Sequence, residues 1–525
     1  MSDLEAYRTC KDLISQRKHR QALATASQIT SPALRAGILI DAGYALRRIS
    51  AVRKGTAAAA EAVAAAQTSK PAYSPASLWY NLANGYSALF VLRSRTSKRP
   101  IVPPNDDDIR LAKRAFRQAI AYLANEKATF RSQVWVNFGN CLSQLGRGIE
   151  AIECYKTALF LDRSNGMASG NLGVELRHVA AITGWYRHDY MLEARTCLID
   201  ALGPRMHLKY GGQEAAEGFA RTLAQVDEFF SHHKRGVRPT RPAAAPSRKK
   251  ATQSYIRFCQ EHSLFLNAWA GDSSALPART DEVTFQPITT PLTDDSTVPE
   301  LLRILNEIKE SYTTARFFAF TALETSPIIS DASALTTYFH FGPHPALYGT
   351  PLGLLKSAYS QAFDVLDKVA RLINVYFRIG ARTDSFWRVL VTRQSRGPQH
   401  EIRWIARPEV TLSLNYSLYA LADLAIDYFQ AELNDLPAID RRRNRMTHDY
   451  LLVVPTHLPR AQEDNSISVD HLRTETLRTL RLAKNAVLYA VSAIHISEAR
   501  GSSIHTTLQA KYMDSLGVPT ADSPS

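Results

Sequence analysis

A basic stretch towards the end of the chain carries side chains for proton transfer and for binding an anion. It reads Arg443-Asn444-Arg445-Met446-Thr447-His448. A histidine titrates near neutral pH, so His448 can accept or donate a proton. The guanidinium of Arg443 stays charged and can bind two phosphate oxygens at once. Asn444 offers an amide that can position a phosphate or fix the tautomer of the histidine. These residue types favour chemistry at a phosphodiester.

This basic stretch is predicted to lie on a short helix over about 436–454. Because successive helical residues turn by about 100°, Arg443 falls on the apolar face, and Asn444 and His448 lie together on the adjoining face. A charge on an apolar face is costly unless something receives it. The sequence leaves two possible partners for the charge of Arg443. One is the surface of a second protein, and the other is a carboxylate of the same domain, such as Asp423 or Asp427.

The spacing of Arg443 and His448 resembles the Arg-x4–6-His signature of HEPN domains, in the form with Asn after the Arg. The resemblance extends over about 255–498 and is to the HEPN family found behind helical repeats in bacterial proteins. This chain departs from the family at Thr447, where the family has an acid beside the histidine. The matching segments occur in the family's order and at its intervals: 307–320, 355–377, 418–429, the motif itself and 480–490.

The resemblance implies an endoribonuclease that needs no metal or other cofactor. The ribose 2′-OH of RNA would attack the phosphate, His448 would transfer a proton, and Arg443 would stabilise the charged phosphorane. The products would be a 2′,3′-cyclic phosphate and a 5′-OH. Three further arginines would hold the RNA backbone electrostatically: Arg441, Arg442 and Arg445.

HEPN nucleases resemble one another in pairing two motifs across a shared cleft. This chain has one such motif, so we expect a homodimer through the HEPN domain. The resemblance further implies a toxin or anti-phage effector that is regulated through its repeats. Two alternatives remain open: a scaffold whose HEPN fold has no turnover, and an RNA-binding protein in which His448 is incidental.

The N-terminal half carries a helical-repeat pattern. Residues 132–165 fit the 34-residue tetratricopeptide (TPR) repeat, with Arg163 where a proline is usual. Residues 172 and 173 occupy the positions of Phe138 and Gly139 in the next repeat. Residues 1–70 are alanine-rich and helical in pattern. An earlier unit is stretched by a polar loop, 93–108, between its two helices. The positions that define the 132–165 repeat are Trp135, Phe138, Gly139, Leu142, Gly146, Ala151, Tyr155 and Ala158.

These patterns predict a mainly α protein: a TPR-like α-solenoid followed by a HEPN helical bundle with a loop-rich, partly β lead-in. The solenoid would present a groove to an unidentified protein partner or trigger. Helical patterns begin at about 298 and continue to 498. The predicted segments are 1–230 for the repeats, 231–253 for a basic, proline-containing linker, 254–500 for the HEPN domain and 501–525 for a polar tail.

The composition limits the partners and the location. A net charge of +14 and a pI of about 9.5 favour a polyanionic partner such as RNA. The five cysteines form no Cys-x-x-Cys pair, which suits a reducing compartment. No run of 18 apolar residues and no signal peptide occur, so we expect a soluble, cytoplasmic protein without a membrane partner. His340 and His344 flank a Gly-Pro and have no third ligand, so we predict no metal site there.

Overall fold

The protein is mainly helical, and its contacts divide it into two compact units: 1–175 with 194–228, and 176–193 with 229–525. The second of these is called the C-terminal unit below. The structure is a computed structural model. It describes residues 2–68, 73–98, 100–183, 186–204, 212–232, 250–285, 288, 297–324, 347–383, 385–396, 401–429, 451–456 and 466–501.

The N-terminal half consists of helices that follow one another with short connections, as the repeat pattern predicts. Neighbours along the chain pack together, for example α3 with α4 and α7 with α8. The helices are α1 (Asp3–Ser15), α2 (His19–Ala26), α3 (Pro32–Ala45), α4 (Ile49–Thr68), α5 (Pro75–Thr96), α6 (Asp107–Ala121), α7 (Ala128–Gln144), α8 (Gly148–Leu161), α9 (Gly166–Ala180), α10 (Arg187–Leu202) and α11 (Gly212–His232).

Helix pairing depends on small residues at the repeat positions. A Cβ on Gly139 of α7 would lie 2.5 Å from the ring of Tyr155 on α8. At the equivalent place in the next pair, a Cβ on Gly173 of α9 would lie 2.8 Å from Leu198 of α10. Both distances are too short for carbon atoms, so these helices approach this closely only because glycine has no side chain. The predicted repeat over 132–165 is confirmed as the helix pair α7 and α8.

A ladder of asparagine side chains links the first helices of successive pairs. The Asn137 amide donates to Asn84 Oδ1 at 2.9 Å, and the Asn171 amide donates to Asn140 Oδ1 at 2.8 Å. Asn140 also accepts from the hydroxyl of Tyr155. Asn137 and Asn171 are 34 residues apart, so the ladder has the period of the repeat. The aromatic and glycine pattern alone did not predict it.

The predicted polar loop 93–108 is shorter than expected, because α5 continues to Thr96 and α6 begins at Asp107. The carboxylate of Asp106 accepts from two backbone amides in the first turn of α6 and thereby caps the helix. Arg93 contacts the same carboxylate at 2.8 Å and Asp108 at 2.6 Å. These contacts extend both helices into the stretch that its polar composition marked as loop.

The stretch 255–300 of the C-terminal unit begins with a helix rather than with the loops or strand expected there. This helix, α12 (Lys250–Glu261), precedes a long connection with a 3₁₀ turn at Leu276–Arg279. The predicted strand signal around 281–291 gives a single antiparallel bridge, from Val283 to Thr183, within the residues that the structure describes. The linker prediction falls mostly on 233–249 and the tail prediction on 502–525, which lie outside the described residues.

One buried arginine fastens this connection to the helical bundle. Arg316, on the helix that follows, is 3 % exposed and pairs with both carboxylate oxygens of Asp281, at 2.8 and 2.7 Å. Its guanidinium also donates to the Leu264 carbonyl and lies 5.2–5.6 Å from the ring centres of Phe265, Tyr312 and Tyr255. The contacts explain how a charge is accommodated inside the unit.

The rest of the C-terminal unit is a helical bundle with two small sheets. The long helices predicted from 298 onward are confirmed, whereas the short one predicted over 436–454 lies mostly outside the described residues. The order is α13 (Thr297–Leu323), α14 (Thr350–Phe377), α15 (Phe386–Leu390), β1 (Val391–Arg396), β2 (Glu401–Ala406), α16 (Pro408–Leu412), α17 (Tyr416–Phe429), β3 (Leu452–Val454), β4 (Ser466–Ser468) and α18 (Val469–Gly501). Helix α14 packs against α13 and α18, and α17 packs against α18. The β1–β2 hairpin lies where no strand was predicted.

Candidate functional site

The six predicted site residues lie outside the described residues, in the stretch 430–450. This holds for Arg443, Asn444 and His448 and for the three flanking arginines. His340 and His344 also lie outside the described part of the chain. The structure therefore describes the elements on either side of the stretch: α17, which ends at Phe429, and β3, which begins at Leu452.

The helix that leads into the stretch carries two fully buried carboxylates. Asp423 is 0 % exposed and Asp427 is 2 % exposed, and they are four residues apart on α17. This spacing puts both on one face of the helix. Their neighbours are the apolar side chains of a buried helix, including Leu424 and Ile426. A carboxylate in such surroundings needs donors or a cation, as sequence reasoning proposed for these two residues and Arg443.

Hydrogen bonds show that α17 and α18 run in opposite directions. Ser417 donates to Ser492 Oγ at 2.8 Å, and Asn415 donates to the Ala493 carbonyl at 2.8 Å. Near the end of α18, Arg500 donates to the carbonyls of Ser413 and Leu414. Residues later in α17 therefore lie beside residues earlier in α18.

This register places Asp423 and Asp427 at about the level of the 480s in α18. Lys484 and Asn485 are buried there, 3 % and 9 % exposed. Two acids of α17 and a lysine and an amide of α18 are thus buried at about the same level of the bundle. Sequence reasoning found the two acids but missed Lys484. The signal available for it was a lysine between apolar residues in the run Leu480–Ala490.

The element that follows the stretch is held in place by a half-buried lysine and a parallel strand pair. Lys356 of α14 donates to the Leu451 carbonyl at 2.9 Å, and burial lowers the pKa of this lysine. Strand β3 pairs with β4 in parallel, Val453 opposite Ile467. The predicted helix over 436–454 is wrong for 452–454, which is β3. The β-branched side chain of Val453 packs into an apolar cluster. That cluster consists of Leu355, Leu451, Val453, Ile467 and Leu472.

A third buried acid lies one turn beyond this cluster, on α18. Glu475 is 3 % exposed, and its Oε1 accepts from Arg478 at 3.5 Å. Its Oε2 is buried and has no hydrogen-bond donor within the part of the chain that the structure describes. Such an oxygen costs free energy unless a donor reaches it. Neither periodicity nor motif spacing pointed to this residue.

No group of three or more His, Cys, Asp or Glu side chains able to hold a metal ion occurs among those described. The five cysteines are buried and free, and burial raises the pKa of Cys154 well above its ordinary value, which makes it a poor nucleophile. None of the described helices is both long and apolar enough to cross a membrane.

The helical repeats contain a cavity of about 320 Å³ between α6, α7 and α8. Apolar side chains form most of its wall, with Arg117, Arg147 and Glu150 as its charged groups. Arg147 is itself paired with Glu150 at 2.5 Å. The apolar wall is formed by Ile120, Trp135, Phe138, Leu142 and Cys154.

Comparison with known proteins gives one family. No curated protein matches the chain. The family model described as LA2681-like HEPN matches residues 292–497, which include α13, α14, α17, α18 and the Arg443–His448 stretch. HEPN domains are often ribonucleases. Residues 292–497 of this chain therefore form an LA2681-like HEPN domain.

Proposed function

We propose that the HEPN domain is a metal-independent endoribonuclease whose site is formed by Arg443, Asn444 and His448. The observation that carries this proposal is the family match over 292–497, because it encloses the Arg-x4-His spacing in the domain type where that spacing has a chemical role. The buried acids of α17 precede the stretch 430–450 in the sequence, and the anchored strand β3 follows it. They support the proposal by fixing both ends of the segment that bears the motif.

The chemistry follows from the side chains. RNA supplies its own nucleophile, the ribose 2′-OH, so the protein has to move a proton and stabilise a charged phosphorane. His448 transfers the proton, and Arg443 binds the phosphorane oxygens. Attack of the 2′ oxygen on phosphorus breaks the bond to the 5′ oxygen, leaving a 2′,3′-cyclic phosphate and a 5′-OH. The arginines 441, 442 and 445 hold the flanking phosphates.

The site is proposed to be shared by two copies of the chain. One motif per chain gives half of a paired site, and the apolar face that carries Arg443 then meets the second HEPN domain. We expect a homodimer through this domain. Light scattering at micromolar concentration measures it, and a monomer under those conditions would contradict the paired site.

In the cell, the proposed role is a toxin or anti-phage effector whose RNase is controlled through the repeats. The apolar cavity between α6, α7 and α8 supports a partner or trigger that binds there by an apolar side chain. Expression of the parent should slow growth, whereas His448→Ala should not. Exchanging Trp135 in the cavity wall for Ala should change the toxicity and leave basal RNA cleavage by the purified protein unchanged.

The decisive experiment is RNA cleavage in EDTA. The parent should cut structured or single-stranded RNA, and Arg443→Ala and His448→Ala should each lose at least about 100-fold in rate. Arg371→Ala is the matched control, because Arg371 is a half-exposed arginine on α14 of the same domain. If all four proteins bind RNA but none cuts it and none is toxic, the chain is an RNA-binding protein or a scaffold, and the nuclease proposal fails.

Mixing the two inactive variants tests the shared site. A dimer of one Arg443→Ala chain and one His448→Ala chain keeps one intact arginine and one intact histidine on opposite chains. If the paired groups act across the interface, the mixture regains part of the activity. The two variants carry affinity tags of different kinds, so that successive purification on both tags isolates the exchanged dimers. If the exchanged dimers show no recovery, each chain holds a complete site.

A further inference from the structure

The hairpin between α14 and α17 has an unusual charge composition. Residues 378–407 contain seven arginines, no lysine and two acids, Asp384 and Glu401. The planar fork of arginine binds phosphate oxygens bidentately and stacks on rings, which lysine does not do. This composition favours contact with a phosphate backbone over a merely solvated surface.

The hairpin has a buried base, and β1 is exposed farther out. Strands β1 and β2 are antiparallel, with Val391 opposite Ala406 at the base, where these side chains are 2 % and 1 % exposed. Farther out, Arg393, Gln394 and Ser395 are exposed. The base packs against α17, the helix that leads into the candidate nuclease motif. The strands therefore present side chains to solvent from a fixed position on the HEPN domain.

One arginine of the hairpin is already stacked on a tryptophan. Arg393 lies directly across from Trp404, and its guanidinium is 4.9 Å from the ring centre. No described carboxylate forms an ion pair with Arg393 or with the exposed Arg388 at the start of the hairpin. Stacking orients the guanidinium but leaves its N–H groups open to an anion. The indole of Trp404 is only partly buried, so part of its ring is accessible to a base.

We propose that this hairpin is a binding arm for single-stranded RNA. Arg388 and Arg393 bind backbone phosphates, and Trp404 stacks on a base, which is how single strands are held without reading their sequence. The arm deepens the proposed nuclease function, since it would hold substrate beside the helix that leads to the site. A protein partner is disfavoured because the exposed strand positions are charged or polar instead of apolar.

Binding is measured separately from cleavage by using the His448→Ala background, in EDTA, with a fluorescent single-stranded RNA of about 20 nucleotides. Trp404→Ala should weaken binding about 10-fold, and Trp404→Phe should retain most of it, because a phenyl ring still stacks. Arg393→Ala should weaken binding and reduce the slope of log K against log salt by about 0.7, the loss of one phosphate contact. Arg371→Ala, on α14, serves as the control and should bind like its parent.

The proposal is overturned if Trp404→Ala and Arg393→Ala bind the RNA as the background protein does while their circular dichroism is unchanged. It is also overturned if these variants become monomers with unaltered RNA affinity, since the hairpin would then join two copies of the chain. A failure of the nuclease proposal has another signature: the parent does not cut RNA, yet the hairpin variants still lose binding.

Discussion

The helical repeats and the HEPN domain are both mainly α, but they are assembled from contacts of different range along the chain. In the repeats, helices pack on their neighbours. The two hydrogen bonds of the asparagine ladder join residues that are 53 and 31 positions apart in the sequence. In the HEPN domain, α14 packs on α18, and Tyr376 of α14 bonds Glu498 of α18 across 122 residues. Repeats of this kind are stabilised by contacts between neighbouring repeats, so the stability of the array is a sum of local contributions. The HEPN domain depends on its last helix.

The largest expected effect comes from removing that helix. A chain that ends at Ser468 lacks α18, which contacts α13, α14, α17 and the β3–β4 pair. We expect the HEPN domain to lose its whole stability, on the order of 5–15 kcal/mol. Hydrogen exchange should then show α13 and α14 unprotected. A matched deletion of α1 and α2 should leave the exchange of α5 to α8 unchanged, and equal damage from the two deletions would contradict the comparison.

A smaller effect is expected at the arginine that fastens the HEPN lead-in. Arg316→Met leaves the carboxylate of Asp281 without its cation and should destabilise the C-terminal unit by about 3 kcal/mol. The urea concentration at which the amides of α13 lose half of their protection from hydrogen exchange measures the change. Arg371→Met is the control: its pair with Glu300 is exposed, with a separation of 3.7 Å, and should contribute less than about 1 kcal/mol. Equal effects would mean that burial does not set the strength of these pairs.

A more modest loss is expected in the asparagine ladder. Asn137→Ala removes the amide that donates to Asn84 and Tyr80, so we expect about 1–2 kcal/mol less stability in the repeats. Asn171→Ala tests the same position one repeat later. Hydrogen exchange should place each loss in the substituted pair and its direct neighbours. A loss spread evenly over all the repeats would argue against local stabilisation.

The smallest effect is a pH dependence at the start of the chain. Hydrogen bonds from the Thr30 backbone and side chain and from the Ser31 backbone lower the pKa of Asp3. A lowered folded pKa stabilises the protein above the unfolded value, and this stabilisation is lost as the pH falls through the folded pKa. The melting temperatures of the parent and of Asp3→Asn should therefore differ at neutral pH and converge below about pH 4. A difference that stays constant would exclude ionisation as its cause.

Sequence reasoning was most accurate where structure is local. The aromatic and small-residue spacing over 132–165 predicted α7 and α8, and apolar stripes predicted α13, α14, α17 and α18. It failed where a distant segment decides the conformation. Leu452–Val454 reads as the end of a helix, but pairing with Ser466–Ser468 makes it a strand. The β1–β2 hairpin was missed because its arginine-rich strands do not alternate apolar and polar residues cleanly.

The candidate site divides in the same way. Its motif was found because the relevant residues lie within six positions, and the family comparison supports the domain type. Asp423 and Asp427 were also found from the sequence, since acids in an apolar helix stand out. Lys484 and Glu475 were not, because their burial depends on how α18 packs against elements far away in the chain.

The asparagine ladder has a consequence for protein engineering. It joins the first helices of successive pairs, and its amide-to-oxygen distances are 2.9 and 2.8 Å although the connections within those pairs differ. The connection between α5 and α6 spans residues 97–106, whereas that between α7 and α8 spans only 145–147. Residues can thus be inserted between α5 and α6 without disturbing the register of the first helices. A fluorescent reporter grafted between Ser97 and Asp106 should be tolerated better than one placed between α7 and α8.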